Sequence, residues 1–287
     1  MVVEIKDDFD LTKIAESGQC FRWFRQESGA YRIIAGDRAI RIRKTDSCNY
    51  EISCSLADFN DTWRRYFDLD NSYEAVREQI TPQSDAFLYE AAEYGNGIRI
   101  LFQDPWEMII SFLISQRKSI PAIRTSIDRL CRAAGRVIPR EELLFDSEKE
   151  LKITEEVSEE AYTFPTAWEI CRLGRNGLDE CGLGYRTEYV YRVAKAVADG
   201  AFDIEALNGL DDETLFNELL KLYGVGPKVA NCVRLFGFHR LDAFPRDVWI
   251  NKVVENEYGG DYPYERYRPF NGVMQQYMFF YYRDQKK

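Results

Sequence analysis

The chain has little that would tie it to a membrane, a metal or an oxidising compartment. Its 287 residues contain no run of about 20 apolar side chains, so nothing in it reads as a bilayer-spanning helix. The first residues, Met1 to Asp8 (MVVEIKDD), lack the charged-then-apolar layout of a signal peptide, and none is expected. Cysteines stand at 20, 48, 54, 131, 171, 181 and 232, an odd number at irregular spacing. No two of them have C-x-x-C spacing, which argues against zinc and iron–sulfur sites. Reduced thiols in a cytoplasm are the expectation, with no cofactor and no metal. Internal repeats, coiled-coil heptads and low-complexity tracts are also missing.

Excess positive charge is absent as well: the net charge is −10. As an average this argues against nucleic acid, but the distribution is uneven. From Arg117 to Arg140 there are seven basic residues against the single acid Asp128. The next twenty, Glu141 to Glu160, carry nine acids against two lysines. A basic helical segment followed by an acidic insertion is compatible with phosphate binding on one face only, and equally with two solvated segments.

What is present is a change of period along the chain. Residues up to about 98 alternate in a strand-like way in QCFRWFRQ, AYRIIAG, RAIRIRK and YEISCSL, which predicts an antiparallel sheet. Short helices are expected to follow near Asp61–Phe67 and Ser72–Gln79. From residue 99 the pattern is helical. Asp104-Pro105 is an N-cap followed by proline at the first helical position, opening the almost wholly apolar WEMIISFLISQ. Further helices are predicted at 120–134, 186–199, 212–222, 227–237, 247–257 and 271–283. The acidic insertion, about 141–163, reads as a solvated loop. The fold class is therefore α+β: an N-terminal antiparallel β-sheet domain (1–98) plus a mostly helical domain (99–287).

The most informative stretch runs from Leu219 to Cys232 (LLKLYGVGPKVANC). Gly224-Val225-Gly226 makes a tight turn between two helices, and Pro227 opens the second. Such a helix-hairpin-helix offers backbone N–H groups to a phosphate without clashing side chains. Lys228 lies in the first turn of the second helix, at the positive end of its dipole, where an ammonium is disfavoured and a free amine is available for attack. It reads equally as a surface lysine on a phosphate. Asp247, in FPRDVW, heads the next helix as an N-cap. An ionised carboxylate facing an amine suits chemistry at a sugar C1′, the carboxylate stabilising positive charge and the amine forming a Schiff base.

These motifs together resemble the helix-hairpin-helix DNA glycosylases, and within them the 8-oxoguanine DNA glycosylase/AP lyases, most nearly the bacterial branch. Gly18 to Trp23 (GQCFRW), Gln103-Asp104-Pro105 and Gly182 to Arg186 (GLGYR) carry the resemblance beside the hairpin, in the family's order. It implies that Lys228 is the nucleophile and Asp247 the catalytic carboxylate. Cys232, one turn after Lys228, would then pack on one face of an extruded base. Phe279 would stack on the other face, and Gln275, one turn before it, would bond the Watson–Crick edge. The carbonyl of Gly18 would accept the N7 hydrogen that only the oxidised purine carries. These groups must enclose a slot between Gly18 and Phe279, at the junction of the two domains. Tyr185 matches a wedge inserted beside the vacated position, and Arg186 a group reaching toward the opposite base. Gly224, Gly226 and Trp249 fall among the DNA-binding positions. The partner implied is duplex DNA containing oxidised guanine, bound by a monomer.

The chain departs from the family where an asparagine pair contacts the orphaned cytosine: here the sequence reads Gln116-Arg117-Lys118. A further arginine with that role in animal members falls at Asp179. Arg117 and Lys118 remain candidates for phosphate or gap binding, and a relaxed opposite-base preference is the expectation. Two other functions stay open: an alkylated-base glycosylase of the same superfamily, which usually lacks the hairpin lysine, and a non-catalytic hairpin module that binds DNA.

Overall fold

Strand alternation in the first fifty residues produces a sheet whose register pairs like with like. The computed structural model describes residues 1–151 and 160–285. Strands β1 (Val2–Glu4), β2 (Trp23–Arg25), β3 (Tyr31–Ala35), β4 (Arg38–Lys44) and β5 (Asn49–Ile52) lie antiparallel in the order β1-β5-β4-β3-β2. Trp23 faces Ile33, Ile33 faces Ile40, and Ile42 faces Ile52. One face is thus a continuous apolar layer. Helix α1 (Leu11–Glu16) and the helical turns α2 (Leu56–Asp58), Phe59–Trp63 and α3 (Arg64–Tyr66) cover it, burying Trp63, Tyr66 and Phe67. Neither β1 nor α1 is legible in the sequence pattern; α1 depends on Asp10, which accepts from the backbone N–H of Thr12 and Lys13.

The second face carries Arg32, Ile34, Ala39 and Arg41, and it is covered too. Here the expectation of a solvated insertion needs correcting. Strand β6 (Val137–Ile138) pairs with β7 (Ala161–Tyr162), and Ile138, Leu143 and Ala161 form a small core with Ile34 and Ala39. Arg41 is fully buried, stacks on Phe145 with 4.5 Å to the ring centroid, and bonds Glu148. The acidic composition concealed these interspersed apolar residues. The part of the insertion at 152–159 lies outside the described residues.

The helical body comprises α4 (Tyr73–Glu78), α5 (Ala86–Tyr94), α6 (Pro105–Ser115), α7 (Ile120–Ala134), α8 (Asp146–Leu151), α9 (Ala167–Glu180), α10 (Arg186–Ala198), α11 (Asp212–Leu219), α12 (Pro227–Phe236), α13 (Val248–Tyr258) and α14 (Asn271–Gln285). Helix α6 is its axis: Met108 to Ile114 are all buried, each apolar side chain contributing about 1.5–3 kcal/mol. The expected caps form, Asp104 bonding the Glu107 N–H and Asp211 the Thr214 N–H. Helix α9 has no counterpart among the predicted helices; Gly174 leaves helical geometry within it (φ 70°, ψ 176°), and a Thr166/Glu169 capping box starts it. Helices α4 and α5 pack into this core beside α14.

Arg99 fastens the sheet to the helices. Its side chain is fully buried, donates to the carbonyls of Phe67, Asp68, Asn71 and Asp8 and to Asp7 Oδ2, and stacks on Tyr73. Burial alone raises the Asp7 pKa, but hydrogen bonds from Arg99 and from the Glu74 and Tyr73 N–H groups outweigh it and hold the carboxyl below its ordinary value. Arg99→Met strands those acceptors, and urea unfolding is expected to show a loss of about 3–5 kcal/mol.

Candidate active site

Hydrogen bonds on either side of Gly18 tie it to the helical body. Gln19 is fully buried: its Nε2 donates to Arg99 O at 2.8 Å, its Oε1 accepts from Leu101 N at 2.8 Å, and its carbonyl accepts from Gln103 Nε2 at 2.9 Å. The GQCFRW and QDP motifs are thus zipped to one another. Gly18 itself has φ +82°, a conformation that favours glycine, and a Cβ there would stand 3.2 Å from Phe279 Cε1. Arg283 holds α14 against the same turn, donating to Glu16 O at 2.7 Å with its guanidinium 5.4 Å from the Phe279 centroid. Gln19, Gln103 and Arg283 act through long-range backbone bonds, which no spacing reveals.

The hairpin arrives from the other side. Gly224 has φ +86°, and a Cβ there would lie 2.5 Å from Tyr189 Cγ, so no larger residue fits. Gly226 stands in open space instead. Nothing lies within 4 Å of where its Cβ would stand, which leaves the start of α12 open to an approaching anion. Pro227 follows, then Lys228, whose Nζ is 5.3 Å from the Phe112 ring centroid. Asp247 caps α13, accepting from Ile250 N at 2.8 Å, a bond that fixes its side chain.

Lys228, Asp247, Gly18 and Phe279 line one open cleft of about 690 Å³ at the sheet–helix junction, together with Phe112, Lys118, Trp249, Arg124 and Arg283. Behind it is a slot of about 50 Å³ bounded by Gly18, Lys228, Cys232, Asp247, Gln275 and Phe279. Six expected residues therefore share one small space. At about 50 Å³ the slot suits a few waters and is not a preformed purine site; the Phe279 ring stands beside Gly18. Burial pushes the Cys232 thiol pKa up, Lys228 opposing and Asp247 reinforcing the shift. The thiol is a neutral wall beside the amine, not a competing thiolate. Gln275 Oε1 accepts from Gln276 Nε2 at 3.0 Å, which orients the Gln275 amide; the buried Gln276 Oε1 has no partner among the described residues.

The remaining expected positions lie along the cleft's edge. Tyr185 is 52% exposed, as a wedge requires. Arg186 is not extended outward. It is buried and donates to the carbonyls of Gln116, Arg117 and Leu183. Arg117 is exposed in a left-handed conformation (φ 51°). Lys118 Nζ bonds Ser126 Oγ and Gly182 O, and burial, then Arg186 and Arg129, lower its pKa. Asp179 accepts from the Thr187 hydroxyl. Trp249 is half-buried beneath the Lys252 ammonium. Among the described residues no His/Cys/Asp/Glu cluster suited to a metal occurs, and no helix is long and apolar enough to cross a membrane.

Both the sequence and the fold have matches among known proteins. Residues 1–109 match the model for the N-terminal domain of 8-oxoguanine DNA glycosylase. The N-glycosylase/DNA lyase of Saccharomyces cerevisiae is 28% identical over 278 residues, 88% of this chain and 69% of its own length. The structure of Clostridium acetobutylicum 8-oxoguanine glycosylase/lyase with dsDNA containing cytosine opposite 8-oxoG superposes with a TM-score of 0.86 at 30% identity, covering 100% of this chain and 99% of that one. A structure of MBOgg1 with a low affinity DNA ligand gives 0.88 at 33% identity, covering 100% and 96%. The 3-methyladenine DNA glycosylase of Archaeoglobus fulgidus, at 19% identity and 0.72, shares the fold.

Proposed function

Since the chain belongs to the 8-oxoguanine DNA glycosylase family, we propose that an oxidised guanine extruded from duplex DNA enters between Cys232 and Phe279 and is removed by Lys228. The protein is a bifunctional DNA glycosylase/AP lyase of base-excision repair. The observation that carries the residue assignment is the shared cavity: an amine, a carboxylate, the glycine turn and an aromatic ring, drawn from both ends of the chain, bound one slot.

In this reading the unprotonated Lys228 amine attacks C1′ as the glycosidic bond breaks, and the bonding electron pair leaves with the base. Asp247 stabilises the positive charge that develops on the sugar. Loss of the proton from nitrogen and opening of the C1′–O4′ bond give the Schiff base. Abstraction of a C2′ proton then expels the 3′ phosphate, and water regenerates the amine. The Gly18 carbonyl accepts the N7 hydrogen of 8-oxoguanine. Guanine offers a lone pair there, and an unpaired buried acceptor costs about 1–3 kcal/mol. Gly226 and its neighbours take the backbone phosphate, and Tyr185 supports the gap. Borohydride added to the protein on an 8-oxoguanine duplex traps a covalent adduct; its absence refutes the reading.

Opposite-base preference is weak in this proposal. Arg117 and Lys118 stand in the asparagine positions, and Arg186 is committed to carbonyls. Single-turnover excision from duplexes with each base opposite 8-oxoguanine is expected to favour cytosine by less than about a hundredfold, or roughly 3 kcal/mol. A larger ratio overturns this part. We also propose that the work divides near residue 98, the sheet unit supplying Gly18 and the helical unit the hairpin. The protein acts as a monomer in a reducing bacterial cytoplasm, where its seven free thiols are stable.

A further inference from the structure

Gln116 has no part in the chemistry above, yet it bonds both the hairpin and the Tyr185–Arg186 turn. It ends α6 and is half-buried. Its side-chain Nε2 donates to the carbonyl of Gly224, the left-handed residue of the hairpin, at 3.1 Å. Its own carbonyl accepts from the Tyr185 hydroxyl at 3.3 Å and from Arg186 Nε at 2.7 Å, with Arg186 Nη2 also bonded. Arg186 runs on to Arg117 O at 3.2 Å, holding the turn that presents Arg117. Alongside, Tyr189 meets both Tyr185 (5.7 Å, 80°) and Tyr223 (5.5 Å, 73°) edge to face, and its ring fills the space beside Gly224.

The wedge, the opposite-strand turn and the phosphate-gripping hairpin are therefore joined through one residue, the hairpin by its side-chain amide and the other two by its main-chain carbonyl. We propose that Gln116 is a positioning residue that makes seating of the hairpin on the phosphate and insertion of Tyr185 into the stack a single event. Extruding a base costs free energy. Phosphate contacts formed at the hairpin offset that cost only if the wedge moves with them. The proposal rests on the assignment of Tyr185 and the hairpin to DNA binding.

Gln116→Glu is a clean test because it is isosteric and leaves the main-chain carbonyl that Tyr185 and Arg186 use. It replaces the donor that faces Gly224 O at 3.1 Å, and Leu113 O within α6 at 3.4 Å, by an acceptor. Single-turnover excision of 8-oxoguanine is expected to slow about tenfold, the scale of a bond replaced by a repulsion. The fluorescence rise of a 2-aminopurine beside the lesion, which reports unstacking, should slow in parallel. A preformed abasic site has no base to unpair or unstack, so strand cleavage there should stay within about threefold of wild type. Adding Gln116→Glu to Tyr185→Ala should cost little more than Tyr185→Ala alone, because coupled residues are not additive. Four results overturn the proposal: unchanged excision, unchanged 2-aminopurine kinetics, equal losses on lesion and abasic duplexes, or effects that multiply in the double variant. Failure of the wild-type protein to excise or trap at all would sink the functional assignment instead.

Discussion

Lys228→Gln is expected to abolish the borohydride-trapped adduct and to slow release of 8-oxoguanine by at least about 10³-fold, near 4 kcal/mol of lost transition-state stabilisation. Glutamine retains most of the aliphatic stem against Phe112 and supplies no amine. Lys228 is half-buried on the rim of the cleft, in the first turn of α12. Thermal unfolding is therefore expected to move little, within about 0.5 kcal/mol for a site away from the core. The combination of intact folding with lost trapping assigns the nucleophile. A trapped adduct that survives in the variant would move the role to another amine on the rim, and Lys118 would be the first to test.

Asp247 permits a second separation, because it has two jobs that different side chains can divide. Its carboxylate caps α13 through Ile250 N and faces the cleft beside Lys228. Asparagine is about as good a cap as aspartate, so Asp247→Asn should leave stability near wild type while excision falls about 10²–10³-fold. Asp247→Ala should lose the same activity and about 1 kcal/mol of stability in addition. Single-turnover rates and urea midpoints on both variants decide the matter. Wild-type excision by Asp247→Asn would reduce the residue to a cap.

How much of this was legible beforehand depends on the range of the interaction. The pairs one turn apart, Lys228 with Cys232 and Gln275 with Phe279, follow from helical spacing once the helices are recognised, and caps such as Asp104 and Asp247 are local. Tyr31–Ala35 and Arg38–Lys44 announce strands through alternation. The same alternation assigns Arg32 and Arg41 to solvent, whereas both are buried, because the flanks of the acidic insertion return to cover that face. Charge density hid Leu143 and Phe145. Arg186 was read as reaching outward, and it is instead turned in upon the carbonyls of Gln116 and Arg117. Carbonyl partners of that kind carry no signature in residue type. Gly18 was placed by its motif, but what holds it there is Gln19 bridging to Arg99 and Leu101, eighty residues away along the chain.

The ring of Phe279 lying on Gly18 gives the resting enzyme a latched door. In the proposed reading, any nucleobase swung out of the helix, sound or damaged, first pushes the same aromatic aside. On the assignment made above, only the one bearing a hydrogen at N7 finds something to hold once inside. Sound guanine meets the same obstacle, gains no grip and slips back into its pair. Screening of a genome then happens inside the slot that Lys228 also bounds, by how long each base is held there.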